Sequence, residues 1–408
     1  MTFTPDIPLD GLPIPRDAGC PFDPPGALTQ LAADRPIGRM TYPDGHLGWL
    51  VTDHALSQRV LADPRFSHRV ELRHAPVQEG TLPTDDRSTP PGFFAVMDPP
   101  EHTRYRRLLT GYFTMRRMRR LEARISEITE RHLDTMARAE PPVDLVCAFA
   151  LPIPSLVICE LLGVPYADHG RFQAITARLV STREDPDSQH VAMRDLHSYL
   201  ADLVRRKHSH PDDGILSALV DGGELDDTEI TSIGIILLVA GHETTANMIG
   251  LGTWALLRHP EQLARLRANP DLMDGAVDEL LRYLTIVQFG LHRAALEDLE
   301  LGGQAIGAGE TVTVAASVAN RDPRVFGGGD RLLVERDNAR RHLAFGHGIH
   351  QCLGQQLARI ELRVAYSGLL GRFEGLRPAV DDAEIPLRER AFTYGVHRLP
   401  VTWDSVTE

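Results

Sequence analysis

Hydrophobic and polar positions change their rhythm along the 408-residue chain. Over residues 1–25 there is no period at all. Pro13, Pro15, Pro21, Pro24 and Pro25 break any helix there, and an irregular segment is expected. Two short runs, 39–42 and 47–52, flank Pro43-Asp44-Gly45-His46, which is the pattern of strand, turn and strand. Asp53 stands where it can cap a helix reaching about Leu61. From Phe66 to Phe94 the chain is polar and proline-rich, a length of loop that compact domains usually keep for a function. From His102 onward the helical period dominates. It predicts helices over 101–109, 115–138, 152–163, 167–181, 188–207, 212–220, 227–257, 260–268, 271–284 and 352–370. Strand-like runs recur at 292–296, 311–314 and 391–398. No repeat, low-complexity tract or linker interrupts the pattern. One mainly α domain spanning 1–408 is expected, with a large helical part and a small β-rich part.

Charge narrows the function. With 43 basic and 56 acidic residues the net charge is -13, which argues against a general nucleic-acid binder. Of the four cysteines, Cys20, Cys147, Cys159 and Cys352, no two have the spacing of a zinc ribbon or disulfide framework. Cys147 and Cys159 lie among apolar residues and read as buried thiols in a reducing cytosol. The longest apolar stretch, 233–240, falls short of the roughly 20 residues that span a bilayer. The proline-rich start lacks the apolar core of a leader. A soluble cytoplasmic protein without a membrane anchor is expected.

The densest chemistry lies in Phe345-Gly346-His347-Gly348-Ile349-His350-Gln351-Cys352-Leu353-Gly354. Gly346 and Gly348 permit a sharp turn, and a helix starting near Cys352 would direct its positive dipole end at a thiolate. Gly354 would let a flat macrocycle approach. A buried cysteine in a tight turn fits the same residues. So does a zinc site using His347, His350 and Cys352, although no fourth ligand is near.

Three other clusters bear on the same question. Ala240-Gly241-His242-Glu243-Thr244-Thr245 places a glycine and paired threonines inside the predicted 227–257 helix, where they weaken it. That is either a tolerated polar defect or a local distortion that serves a function. In the second case Glu243 and Thr244 form an acid–alcohol pair able to pass protons. Glu279 and Arg282, three apart, can pair on one helix face. His102 and Arg106, four apart, can aim at one anionic group or simply face solvent.

The run Phe345-x-x-Gly348-x-His350-x-Cys352-x-Gly354, followed back through the chain, resembles the haem-binding signature of the cytochrome P-450 family. The other clusters occur in the order that family requires. The resemblance covers about Trp49 to the C-terminus and is nearest to soluble actinobacterial members. It implies the P-450 fold and haem b, with Cys352 as axial thiolate and metal ligand. It assigns Thr244 to dioxygen and Glu243 to the link with solvent. His102, Arg106, Arg293 and His350 are assigned to the haem propionates. Glu279 and Arg282 become structural supports, with Asp322-Pro323 and Arg336 loosely matching the rest of that network. Two departures stand out: His242 falls at a variable position, and Gly327-Gly328-Gly329 is looser than the family's usual stretch.

No Gly-x-Gly-x-x-Gly fingerprint or ferredoxin-like cysteine set is present, so electrons must come from outside. The resemblance implies an iron–sulfur ferredoxin served by a flavin reductase. Arg116, Arg117, Arg119 and Arg120, with Arg359 and Arg363, are the candidate docking cations. It further implies a monomer that hydroxylates or epoxidises a hydrophobic secondary metabolite such as a polyketide, macrolide or terpenoid. The substrate-lining candidates are the 70–96 loop, the helix near 167–181, Leu238-Val239-Ala240, Ile286-Val287-Gln288-Phe289 and Thr393-Tyr394. A peroxide-driven haem enzyme and a non-catalytic haem sensor are the alternatives.

Overall fold

The computed structural model describes residues 12–16, 20–77, 89–180 and 186–407. The predicted loop over 66–94 therefore lies partly outside the described residues. The helices, in chain order, are α1 (Gly26–Asp34), α2 (His54–Ala62), α3 (Glu101–Thr110), α4 (Met115–Ala137), α5 (Pro152–Leu162), α6 (His169–Val180), α7 (Pro186–Ser209), α8 (Ile215–Gly222), α9 (Asp227–Leu257), α10 (Pro260–Ala268), α11 (Met273–Leu284), α12 (Ala316–Ala319) and α13 (Gln355–Arg372). The strands are β1 (Ile37–Thr41), β2 (Leu47–Val51), β3 (Phe66–Ser67), β4 (Val143–Asp144), β5 (His292–Ala295), β6 (Leu299–Leu301), β7 (Gln304–Ile306), β8 (Thr311–Val314), β9 (Phe373–Glu374), β10 (Arg377–Pro378), β11 (Pro400–Thr402) and β12 (Ser405–Val406).

These elements fall into two compact units, and the chain alternates between them. The first takes the described residues of Met1–Arg87, Arg258–Cys352 and Leu387–Gly395. The second takes those of Ser88–Leu257, Leu353–Pro386 and Val396–Glu408.

In the first unit a five-stranded sheet runs β1-β2-β8-β5-β3. Every pairing is antiparallel except β2 with β8, where Trp49, Leu50 and Val51 oppose Val312, Thr313 and Val314. Gly45, at φ +86°, turns β1 into β2 where the Pro-Asp-Gly-His run predicts it. Asp53 caps α2 by accepting the Leu56 N–H at 2.7 Å. Beneath the sheet Ile37, Trp49, Val51, Val60, Phe66, Val312 and Val314 pack as one cluster, the aliphatic core that a chain with few aromatics must build.

The strand predicted over 391–398 does not form. Thr393 makes an isolated bridge to Val287, closed by the Tyr394 N–H on the Ile286 carbonyl at 2.7 Å and the Gln288 N–H on the Phe392 carbonyl at 3.1 Å. The Gln288 side-chain nitrogen adds bonds to the carbonyls of Glu389 and Ala391, at 2.9 and 2.8 Å.

The second unit is helical. Within it α9 is the central element, buried along nearly its whole length. It is long and apolar enough by composition to cross a membrane, but 72% of its apolar window is covered by protein. Tyr366 of α13 donates to the Met248 carbonyl of α9, and Gly252 leaves room for that ring. Cys159 is buried on α5 as expected. Cys147 is not a core thiol: it sits in the short π-helical turn Val146–Ala150 with its side chain exposed, because that turn faces its apolar neighbours inward and the cysteine outward.

Candidate active site

The cysteine loop belongs to the first unit. Gly346 and Gly348 adopt φ +70° and +75°. A Cβ on Gly348 would also stand 2.6 Å from the Leu61 carbonyl oxygen, so only glycine fits. The Gln351 N–H donates to the Gly348 carbonyl at 3.0 Å and the Cys352 N–H to the Phe345 carbonyl at 2.8 Å. The loop thus closes on itself and presents an exposed Cys352 side chain. The helix predicted from 352 starts only at Gln355. The Cys352 amide is already engaged by Phe345, and the first helical bond closed there runs from the Ala358 N–H to the Gly354 carbonyl at 3.0 Å.

Behind this loop stands the acid–arginine network. Glu279 and Arg282 are both fully buried and doubly hydrogen-bonded, Nε to Oε2 at 2.7 Å and Nη2 to Oε1 at 2.8 Å. Arg336 adds its Nε to both Glu279 oxygens at 3.1 Å. The three glycines at 327–329 are not loose. Gly327 and Gly328 accept from Arg336 at 2.9 and 3.0 Å, and Gly329 accepts from Arg282 at 2.8 Å. A Cβ on Gly329 would fall 2.2 Å from the Arg321 carbonyl oxygen. Asp322 stays outside the Glu279 contacts. It pairs with Arg324 at 2.7 Å and accepts the His54 N–H at the start of α2, a closer cation than Arg282 or Arg336. The link to the cysteine loop is a residue that spacing did not single out. Asn320 gives its carbonyl to Arg282 at 2.8 Å and accepts the Leu343 N–H on its side-chain oxygen at 2.7 Å.

Two of the proposed propionate ligands, Arg293 and His350, also lie in this unit, and they come with company. Arg293 is buried on β5 and donates to the His292 carbonyl at 3.0 Å, which Arg73 also reaches at 3.3 Å. The His350 ring lies 4.4 Å from that of His68. Burial, reinforced by repulsion from Arg293, Arg73, His350 and His292, holds His68 well below the usual imidazole range. His292 is depressed the same way, by burial first and then by Arg73 and Arg293. The lasting positive charge here belongs to Arg293 and Arg73, with His68 and His292 kept neutral beside them, and two guanidiniums so placed favour an anion. The motif reading missed His68, Arg73 and His292. Only His292, next to Arg293 in a buried strand, carried any sequence signal.

In the second unit α9 runs unbroken from Asp227 to Leu257, so the predicted distortion is not a break in the helix. The Thr244 hydroxyl donates to the Ala240 carbonyl one turn back, at 2.7 Å, and in this way stays satisfied within the helix. What interrupts α9 is its burial. Val239 is 42% exposed and Ala240 is exposed, with Gly241, Glu243 and Thr244 half-buried beside them. His102 is buried on α3, and burial plus the nearby Arg106 charge lowers its pKa, with Asp98 opposing. Neither helix alone says more. Glu361 of α13, absent from the motif reading, is fully buried beside Thr245.

These features suit a haem. An exposed sulfur ends a loop that only glycines can shape, with open space where a Cβ on Gly354 would stand. In the same unit the Arg293 and Arg73 guanidiniums suit carboxylates. Among the described residues no three His, Cys, Asp or Glu side chains are arranged to hold a metal ion, so the zinc grouping of His347, His350 and Cys352 does not form.

Comparison with known proteins agrees. The sequence profile of the cytochrome P450 family matches residues 188–395. The chain is 50% identical to cytochrome P450-SU2 of Streptomyces griseolus, over 97% of this chain and 98% of that one. It is 46% identical to pentalenic acid synthase of Streptomyces avermitilis, over 95% of this chain and 96% of that one. Among solved structures, CYP105P1 in complex with filipin I superposes with a TM-score of 0.87 at 41% identity, covering 97% of this chain and 99% of that one. The chain therefore belongs to the cytochrome P450 family of haem monooxygenases.

Proposed function

We propose that the chain uses Cys352 as the thiolate ligand of haem b and inserts one oxygen atom of dioxygen into a hydrophobic secondary metabolite. The observation that carries this reading is the exposed Cys352 side chain at the end of a loop pinned by the Phe345 carbonyl and turned by Gly346 and Gly348. When bound, haem iron supplies dioxygen binding and activation, strengthened by electron donation from the thiolate.

The chain's own residues supply the rest. Arg293 and His350, with His102 and Arg106, bind the propionates, and Arg73 extends that positive surround while His68 and His292 stay neutral beside it. Thr244 holds a hydroxyl on the exposed stretch of α9. That hydroxyl donates to the Ala240 carbonyl, which leaves its oxygen lone pairs free to accept a proton from water and pass one on. Glu243, half-buried one residue earlier, exchanges protons with solvent. The need for such a pair favours dioxygen over peroxide as oxidant.

A substrate of the terpenoid or macrolide kind is supported by the relative named for pentalenic acid and by the one crystallised with filipin I. Ile286-Val287-Gln288-Phe289 and the Thr393-Tyr394 turn are the apolar contacts we assign to it in the first unit. Electrons come from a ferredoxin and its flavin reductase, and the enzyme works as a cytoplasmic monomer.

The test is an absorption spectrum of the dithionite-reduced protein under carbon monoxide. A strongly red-shifted Soret band that disappears in Cys352→Ala is expected. A band typical of histidine ligation in the wild type would overturn the reading.

A further inference from the structure

We propose that His342 is a positioning residue for the Cys352 loop, oriented by Asp278 and acting through the backbone of Ala344 and Phe345. The proposal rests on the reading of Cys352 as the iron ligand.

His342 and Asp278 are both buried, with side chains only 1% exposed. The two oxygens of Asp278 are divided. One accepts from Arg340 Nε at 2.8 Å, and Arg340 is a surface residue. The other lies 3.4 Å from His342 Nε2, an electrostatic contact rather than a closed hydrogen bond. The opposite ring nitrogen, Nδ1, accepts the Ala344 N–H at 3.1 Å. An acceptor at Nδ1 requires the proton to sit on Nε2, on the side of the carboxylate. Asp278 thereby selects the tautomer, and the tautomer provides the acceptor.

What that acceptor holds is the entry to the cysteine loop. Ala344 precedes Phe345, whose carbonyl receives the Cys352 N–H at 2.8 Å. The His342 ring also lies 5.5 Å from the Phe345 ring, inclined at 52°, so it touches the same residue by its face as well as through Ala344. An apolar side chain would fill this space equally well. Only a ring with one acceptor and one donor, in that order, joins Asp278 to the Ala344 amide. The Glu279 and Arg282 network reaches the loop by another route, through Asn320 and Leu343.

Two substitutions separate the contacts. His342→Asn keeps an acceptor where Nδ1 stood but does not reach Asp278. His342→Gln reaches Asp278 but offers Ala344 nothing. Asp278→Asn removes the charge that sets the tautomer. Glu310→Gln is the control for plain destabilisation, since it cuts contacts to Arg39 and Trp49 elsewhere in the same unit.

Each haem-loaded variant is reduced, saturated with carbon monoxide and followed as the red-shifted Soret band converts to that of a protonated or displaced sulfur. Its urea midpoint and haem reduction potential are measured alongside. At matched loss of stability, His342→Gln and Asp278→Asn should convert about tenfold faster than Glu310→Gln, equivalent to about 1.4 kcal/mol. Both should shift the potential, and His342→Asn should recover most of the wild-type rate. Conversion of His342→Gln at the control's rate overturns the proposal, as does equal damage from Asn and Gln, which would leave His342 a space-filling residue. Should Asp278→Asn not fold, the two His342 variants decide. A wild-type protein without the red-shifted band removes the haem–thiolate reading and this proposal together.

Discussion

Glu361 is fully buried on α13, and burial pushes its carboxyl up to about 8, with a hydrogen bond from Thr245 pulling weakly the other way. In the unfolded chain the same group titrates near 4.3. The folded protein therefore holds this proton more tightly than the unfolded one. Its contribution to stability is whole at acidic pH and is lost as pH rises from about 4.3 to about 8. Glu361→Gln keeps the shape and removes the titration. The variant should lose a pH-dependent stability decline of a few kcal/mol over that window, and at pH 9 it should be more stable than wild type. Urea midpoints taken across the range check this, and a variant that tracks wild type at every pH refutes it. No spacing in the sequence marks Glu361, because its behaviour comes from what covers it. His68 and Arg73 were invisible for the same reason. The Glu279–Arg282 pair was legible because residues three apart on a helix meet, and Cys352 and Thr244 could be nominated because the signal for them is identity and order along the chain. Cys147 misled because apolar neighbours say nothing about which way a π-helical turn points one side chain.

At the scale of elements, α9 and α13 meet through an absence. A Cβ on Gly252 would stand 2.1 Å from the Tyr366 hydroxyl oxygen, the group that donates to Met248. Gly252→Ala should cost about 1–3 kcal/mol by overpacking, although alanine is the better helix former in isolation. Adding Tyr366→Phe should recover part of the loss, and chemical denaturation of the single and double variants measures it. An unchanged midpoint in Gly252→Ala would mean that the ring moves freely. Most helices were legible from their period, since burying one face of a helix forces it. Helix starts were less so: α13 begins at Gln355 because the Cys352 amide is committed to Phe345, a contact no periodicity reports. The run over 391–398 has the composition of a strand, but its backbone pairing with Ile286 and Gln288 stops at a bridge, and the Gln288 side chain takes the Glu389 and Ala391 carbonyls before it. The cap at Asp53 and the Gly45 turn could be placed because their signals are local.

For the whole molecule, a net charge of -13 would repel the acidic ferredoxin proposed as electron donor, so on that proposal local cations carry the encounter. Arg116, Arg117, Arg119 and Arg120 are exposed at the start of α4. Arg363 of α13 is tied to Glu122 of α4 at 2.8 Å, and Arg359 leans on Gln355, so those two are less available than the sequence suggested. Reversing Arg116, Arg119 and Arg120 to glutamate should slow reduction by the ferredoxin at least about tenfold at low salt. Added salt should narrow the gap, and reduction by dithionite should stay unchanged. Stopped-flow reduction at two ionic strengths is the measurement, and equal rates would move the docking site elsewhere. The family and its helical character were readable from motif order over most of the chain. A helical part and a β-rich part were expected, but which stretches make up each compact unit was not readable, because each is assembled from separated stretches.

The pairing of β2 with β8 joins residues that are far apart in the chain, Trp49 with Val312. A ribosome adding about 5–20 residues per second takes on the order of tens of seconds to travel that distance. Through that interval the first hairpin has left the exit tunnel with one edge unpaired and no partner yet made. Such an edge invites pairing with another chain. The exposure of this five-residue strand during synthesis is set by the distance to its partner in the chain, not by the stability of the finished fold.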